Sequence, residues 1–274
     1  MMPDPPATIP DPFKDLRVIV AGGTSGIGLA CARSLRSRGA LVVAIGKPDG
    51  QVANVPEEIA NLTIHADLTS SEACTEACDR ACLHLGGVDA LIHTVGGSAR
   101  GAGDGKLDRC TDEGWQAALR LNLDSAFHVV RWGVRKLLEN SRDQHGQRGS
   151  IAFVGSVLAD SPSPRHFGTI GYAVAKAGLE GLVRNAAASY ASEGIRVNML
   201  KPGLVDTPMA VRAIGDPVIG EFLREKQPLT AGPVSAEACA QALLALIDPR
   251  NAGLTGSILT LDGGWSVTDA VNRD

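Results

Sequence analysis

The side chains best suited to proton chemistry stand four residues apart, in Tyr172-Ala-Val-Ala-Lys176. On a helix that spacing is just over one turn, so the phenol and the ammonium leave the same face. A cation beside a phenol stabilises the phenolate and lowers its pKa from about 10 towards neutrality, where general acid–base catalysis works. The same spacing also fits an ordinary amphipathic face, so the pair gains meaning from its company. Ser156 follows the apolar run Ile151–Gly155, at the carboxyl end of an expected strand. A hydroxyl there can hold a carbonyl or alcohol oxygen, or simply turn the chain. Asn122 interrupts the helical pattern Trp115, Leu119, Leu123, Phe127, Val130. Asparagine is a poor interior helix residue, which points to a kink, a polar task or an exposed position.

A second constellation lies near the start. Val18-Ile19-Val20-Ala21-Gly22-Gly23-Thr24-Ser25-Gly26-Ile27-Gly28 joins an expected strand to an expected helix. Glycines there permit a tight turn and let backbone N–H groups approach a pyrophosphate, whose charge the helix N-terminus favours. The spacing is Gly-x-x-x-Gly-x-Gly, not the Gly-x-Gly-x-x-Gly of the common dinucleotide fingerprint.

These residues need a scaffold, and the rest of the chain supplies its pattern. Apolar runs at Arg17–Ala21, Leu41–Ile45, Leu62–Ile64, Val88–His93, Ile151–Gly155, Ile195–Leu200 and Ser257–Leu261 read as strands covered on both faces. Helical patterns lie between them at Gly26–Ser37, Ser71–Leu85, Asp112–Asn140, Tyr172–Ser192 and Ser235–Ile247. Alternation of this kind predicts an α/β fold, a doubly wound parallel sheet of about seven strands with helices on both faces. Three long loops, Gly46–Asn61, Gly96–Cys110 and Val157–Gly171, fall at carboxyl ends of strands, where such sheets bind ligands. Residues 1–13 read as a disordered proline-rich tail and 14–274 as one domain.

Composition narrows the function classes. The 274 residues are 44% hydrophobic and 20% charged with a net charge of −4, which excludes bulk disorder and gives no electrostatic case for nucleic acid or an anionic membrane. No uncharged stretch reaches the roughly 18 residues of a membrane helix. Met1–Pro12 lacks the basic start and apolar middle of a secretory signal, and six cysteines in so long a chain make no disulfide framework, so a reducing cytoplasm is expected. Cys74, Cys78 and Cys82 form an i, i+4, i+8 stripe that suits small buried hydrophobes better than a metal, and no metal is expected.

The glycine spacing, with Gly-Ile-Gly at its end, resembles the short-chain dehydrogenase/reductase superfamily, and so does the order of the later motifs from about Leu16 to Trp265. The resemblance implies a Rossmann-like fold and gives each residue a role. Tyr172 matches the proton donor or acceptor, Lys176 the residue that binds the nicotinamide ribose and tunes the tyrosine, Ser156 the substrate-oxygen ligand, and Asn122 the anchor of a proton-relay water. Gly22, Thr24, Ser25, Gly26, Ile27 and Gly28 match the pyrophosphate turn, Asp67 and Leu68 the adenine contact, and Gly96 the approach to the adenosine ribose. Ile195-Arg-Val-Asn-Met-Leu-Lys-Pro-Gly203 resembles the sixth-strand motif. Pro202, Gly203, Val205 and Thr207 match the loop that grips the nicotinamide carboxamide, through the Val205 backbone and the Thr207 hydroxyl. Two departures touch one another. The family's Thr before the first glycine is Ala21, and its Asn-Asn-Ala-Gly is His93-Thr94-Val95-Gly96, so both sides of a brace beneath the cofactor are altered. His93 itself reads as a packed, hydrogen-bonded histidine rather than a catalyst. The stretch from Ser156 to Tyr172 is longer than usual and holds His166 and Phe167, which either line a pocket or decorate a surface loop.

The resemblance implies an NAD(P)-dependent oxidoreductase that interconverts a carbonyl and an alcohol. A non-catalytic dinucleotide-binding regulator is the alternative, although a pure binder need not keep Ser156 and Tyr172 together. A structural partner protein would not need the glycine loop. NADP(H) is favoured over NAD(H), because the position of the family's ribose-binding acid is Gly46, which leaves room for a 2′-phosphate, and Lys47 follows to pair with it; Lys47 as a plain surface residue is the competing reading. A homotetramer or homodimer is expected, built through the helices at Asp112–Asn140 and Tyr172–Ser192. The segment Ala210–Gln227 matches a variable lid whose moderately apolar character suits an apolar or amphipathic substrate.

Overall fold

The computed structural model describes residues 10–47 and 63–268. The apolar runs become seven strands: β1 (Arg17–Ala21), β2 (Leu41–Gly46), β3 (Thr63–His65), β4 (Ala90–His93), β5 (Gly149–Val154), β6 (Ile195–Pro202) and β7 (Ile258–Leu261). All pair in parallel, in the order β3-β2-β1-β4-β5-β6-β7. Along β1 the side chains alternate between two cores: Ile19 and Ala21 enter one, Val18 and Val20 the other. Burial on both faces is why the strand reads as continuously apolar rather than alternating.

The principal helices are α1 (Gly26–Ser37), α2 (Ser71–Leu85), α3 (Asp112–Leu119), α4 (Ser125–Glu139), α5 (Ile170–Tyr190), α6 (Pro217–Lys226) and α7 (Ala236–Ile247). Helices α2, α4 and α5 cover one face of the sheet, through Cys74, Cys78, Val129, Leu137, Leu179 and Val183. Helices α1 and α7 cover the other, through Cys31, Leu35, Cys239 and Leu243. Cys74 and Cys78 are thus core residues, with Cys82 half-buried beside them. Ser70, Thr111 and Ser235 cap α2, α3 and α7 by accepting from backbone N–H groups three residues on. No described helix is long and apolar enough to cross a membrane.

The long helix expected over Asp112–Asn140 is divided. Between α3 and α4 the chain makes one wide π turn, Arg120–Asp124, with Asn122 at its centre. The helix expected from Tyr172 begins at Ile170 instead. Leu62 and most of the Gly46–Asn61 loop, including Pro48 and Asp49, lie outside the described residues, as do residues 1–9 of the expected tail. That tail does not extend to residue 13. Phe13 is 1% exposed in the α1–α7 core, Arg38 lies 4.2 Å above its ring, and Arg38 also donates to Asp11. An aromatic ring buries too much apolar surface to be left in a mobile tail.

Phe13 therefore belongs to the folding unit. Phe13→Ala is expected to lower the unfolding free energy by about 3–5 kcal/mol, read from urea denaturation, because the core on that side cannot close over the lost ring.

Candidate active site

The strand order reverses between β1 and β4, and the carboxyl ends of the strands open there into a cleft of about 630 Å3. A crevice at such a switch point is where doubly wound sheets bind ligands. Every residue assigned above to pyrophosphate, adenine, ribose and nicotinamide contact lines this cleft, together with Ser156, Tyr172 and Lys176.

The glycine turn is built for close approach. Gly22 and Gly26 hold left-handed backbone conformations, with φ +85° and +49°, which side chains rarely tolerate. A Cβ at Gly28 would sit 2.2 Å from the Gly22 carbonyl oxygen, so α1 starts directly against the turn. Ser25 makes no side-chain capping bond, and the first turn of α1 carries no acid. Its N–H groups and positive dipole end are therefore available to an anion, as a pyrophosphate requires. The brace beneath this turn is rebuilt rather than lost. Thr94 Oγ1 shares its proton between the carbonyls of Ala21 (3.1 Å) and Gly22 (3.2 Å). The hydroxyl has moved from the β1 side to the β4 side, and Ala21 needs none.

At the adenine end, Asp67 accepts from the Thr69 amide (3.0 Å) and hydroxyl (2.7 Å) and pairs with Lys47 Nζ at 3.2 Å. Burial raises the Asp67 carboxyl, but the bonds from Thr69 and Lys47 outweigh it and hold the group below its ordinary value. Lys47 is thus an exposed side chain held in a surface ion pair with Asp67. The expected space above Gly46 is absent: a Cβ there would lie 2.3 Å from Thr24 Oγ1. Gly46 seats Thr24, and the threonine fills the place where an acid would stand.

The four expected catalytic residues come together. Asn122 is completely buried and clamps one residue, with Oδ1 accepting from the Gly97 amide and Nδ2 donating to the Gly97 carbonyl, both at 2.9 Å. Nδ2 also donates to the Ala118 carbonyl at 2.9 Å. The carboxamide is thus engaged with the backbone on both its oxygen and its nitrogen. Gly96 fits between this clamp and the lysine, since a Cβ would meet Asn122 Oδ1 at 2.7 Å and Lys176 Nζ at 2.9 Å. Ser156 lies nearly buried two residues beyond β5, accepts from the Leu158 amide and lines the cleft with Tyr172.

The expected lowering of the Tyr172 pKa is not what the geometry produces. Burial pushes the phenol above its ordinary value, and the Ser156 hydroxyl only partly opposes this. Lys176 Nζ lies 5.7 Å from the ring centroid, donates to the Val154 carbonyl at 2.9 Å, and is itself pushed down to about 8 by burial. Desolvation penalises both charged forms and exceeds the attraction expected between them. His93 is packed and neutral: burial and the Lys176 cation push it down to about 3. The Ser125 hydroxyl donates to the Leu121 carbonyl (2.6 Å), so His93 Nε2 carries the proton in its 3.2 Å contact with that oxygen.

Sequence reasoning missed the residue that places Tyr172. Asp104, 4% exposed in the loop after β4, accepts from the amides of Gly171 (2.9 Å) and Tyr172 (3.1 Å). It caps the first turn of α5 from a distance of 67 residues, which explains the early start of that helix. No local pattern marks such a cap. Over the nicotinamide end, the Thr207 methyl lies 3.1 Å from where a Gly26 Cβ would be, and Leu204 donates to Gln227 Oε1 at 2.6 Å. Phe167 lines the cleft, while His166 stacks on Phe222 of α6 with ring centroids 4.3 Å apart. Phe167 and Phe222 both meet the buried Trp265, closing an aromatic wall.

Comparison with known proteins shows the family and the fold. A family model described as enoyl-(acyl carrier protein) reductase matches residues 21–266. D-beta-hydroxybutyrate dehydrogenase of Rhizobium meliloti is 30% identical over 266 residues, covering 90% of this chain and 97% of that protein. 3beta-hydroxysteroid dehydrogenase 1 of Eggerthella lenta is 31% identical over 264 residues, covering 94% and 96%. A solved structure described as a short chain dehydrogenase/reductase family protein shares 30% identity with a TM-score of 0.76 over 93% of this chain and 99% of that one. The ligand-free aldohexose dehydrogenase of Thermoplasma acidophilum, at 22% identity and a TM-score of 0.82 over 96% and 99%, shares the fold.

The Asp104 cap can be measured by itself. Asp104→Ala is expected to lower stability by about 0.5–2 kcal/mol in urea denaturation, the cost of losing a helix cap. Asp104→Asn keeps one acceptor and should lose less.

Proposed function

Because the chain belongs to the short-chain dehydrogenase/reductase superfamily, we propose that it interconverts a carbonyl and an alcohol with a nicotinamide dinucleotide, using Tyr172 as general acid–base. The observation that carries this reading is the convergence of Ser156, Tyr172 and the buried Lys176 on the wall of the switch-point cleft, with the lysine Nζ 5.7 Å from the tyrosine ring. The glycine turn and the open N-terminus of α1 fit a pyrophosphate, and Pro202, Gly203, Val205 and Thr207 would hold the nicotinamide. When bound, the dinucleotide supplies or accepts the hydride. Ser156 would hold the substrate oxygen, and Tyr172 would give that oxygen its proton or take it away. With its phenol raised by burial, Tyr172 rests protonated and ready to donate in the reduction direction. Lys176 would contact the ribose and replenish the proton, for which a value of about 8 is well matched. Asn122 would serve by position, holding Gly97 and the break between α3 and α4.

The same reading extends to assembly and compartment. Exposed small residues on α5 (Ala177, Gly178, Gly181) and the exposed Phe127 of α4 suit a homodimer or homotetramer built on these helices. Six free thiols suit a reducing cytoplasm.

Tyr172→Phe keeps the ring and removes the transferable proton. Turnover of a carbonyl panel, followed at 340 nm, should fall by several orders of magnitude with cofactor affinity nearly unchanged. Retention of a tenth of wild-type turnover with chemistry rate-limiting would exclude the proposed role.

For the cofactor, NADP(H) is preferred over NAD(H), because Lys47 stands at the adenine end and neither Gly46 nor Thr24 is an acid, Asp67 being the carboxylate that Lys47 now pairs with. The phosphate would take Lys47 from Asp67. Lys47→Ala is expected to weaken NADPH binding by about 1–2 kcal/mol while barely changing NADH, in fluorescence titrations of both reduced cofactors. Tighter NADH binding by the wild type, or equal losses in the variant, would reverse the assignment.

A further inference from the structure

The charges along the cleft do not balance. Its charged lining residues are Lys47, Asp67, Arg100, Lys176 and Arg212. The one acid, Asp67, is already paired with Lys47, and Lys176 is engaged by the Val154 carbonyl. Arg100 and Arg212 remain. Among the described residues, neither guanidinium has a hydrogen-bond or ion-pair partner. The nearest acid influencing Arg100 is Asp104, whose two oxygens are occupied by the α5 amides.

The two arginines come from opposite walls. Arg100 opens the turn Arg100–Ala102 after β4, and Arg212 lies in the helical turn Val211–Ile214 after β6. These walls meet at Gly97, where a Cβ would be 3.3 Å from Met209 Cε. Partial desolvation at the rim and the facing Arg212 cation both push the Arg100 guanidinium below its ordinary value. Leu158, Phe167, Met209 and Trp265 line the same cleft, and Leu158, Phe167 and Trp265 pack in one cluster with Ala213, the neighbour of Arg212. Two like charges held at one mouth repel each other unless an anion comes between them. Neither arginine is needed for the dinucleotide's phosphates, because the α1 N-terminus serves the pyrophosphate and Lys47 stands at the far, adenine end.

We propose that Arg100 and Arg212 form an anion subsite that receives a carboxylate of the substrate, so that the substrate is an oxo or hydroxy acid with an apolar body. Guanidinium forks match carboxylate geometry with two parallel hydrogen bonds, and the aromatic wall takes the apolar part. The substrate assignment rests on the carbonyl–alcohol reading, but the subsite is measurable without turnover.

The test uses 4-formylbenzoate and 4-oxopentanoate, each against its own methyl ester. Binding to the complex of the protein with its preferred oxidised dinucleotide is measured by calorimetry, and reduction is followed separately at 340 nm. Each acid should bind at least tenfold more tightly than its ester, and its affinity should fall with added salt while that of the ester does not. In Arg100→Ala/Arg212→Ala the acids should lose about tenfold more affinity than the esters. The double Lys variant should recover part of that loss, and the affinity of either variant for the dinucleotide alone should match the wild type. Esters binding as well as acids, equal losses in the variant, or no binding of either acid at millimolar concentration would overturn the subsite. Arginine-dependent acid binding with no oxidation of either reduced cofactor would leave the subsite standing and remove the carbonyl chemistry instead.

Discussion

The pair of hydrogen bonds between the Asn122 carboxamide and the Gly97 backbone joins the two halves of the site. On the helix side, meeting Gly97 requires the wide turn that separates α3 from α4. On the strand side, the clamp fixes the chain leaving β4, so Gly96 passes within contact of Lys176. The loop that continues from this point carries Asp104 back to the start of α5, where it sets Tyr172. A fully buried carboxamide with all three of these bonds made is inexpensive to keep, whereas a half-satisfied one would cost the desolvation of each orphaned group. The surroundings of Tyr172 and Lys176 therefore depend on an amide engaged wholly with the backbone.

Burial governs the electrostatics around that frame. Tyr172 is raised, Lys176 is lowered to about 8, and His93 is lowered to about 3, each with desolvation as the leading cause. These shifts favour neutral forms on all three groups. Tyr172 and His93 therefore rest neutral while Lys176 keeps a cation that is easily discharged, and His93 is kept out of the exchange by its unfavourable protonation. The cationic rim at Arg100 and Arg212 lies outside this dry interior, where charge is cheaper to maintain.

How much of this was legible in the sequence depends on the range of the interaction. The sheet and the glycine turn were readable, because strand burial and tight turns are written in adjacent residues. Ser156, Tyr172 and Lys176 were found because they sit at ends or faces of those elements. Asn122 was marked by its poor fit to a helix interior, and the break is there, but its partner Gly97 lies 25 residues away and could not be inferred. Asp104 was hidden in a glycine-rich loop for the same reason. Phe13 was misread because five prolines dominated the composition of the first 12 residues, although one aromatic ring was enough to anchor the end of that segment. The lowered Tyr172 pKa failed as an expectation because spacing along a helix reports neighbours and not solvent.

The contact between Gly46 and Thr24 has a consequence for how these two positions can vary. A Cβ at position 46 meets Thr24 Oγ1, Cγ2 and Cβ at 2.3, 2.5 and 2.9 Å. The last of these atoms does not move when the threonine changes rotamer, so no side-chain adjustment makes room. A side chain therefore cannot appear at position 46 through one substitution alone, because Thr24 must also give way to a smaller residue. The two positions are sterically coupled, so this corner of the cleft can carry a branched side chain on the glycine turn or a side chain at the end of β2, but not both.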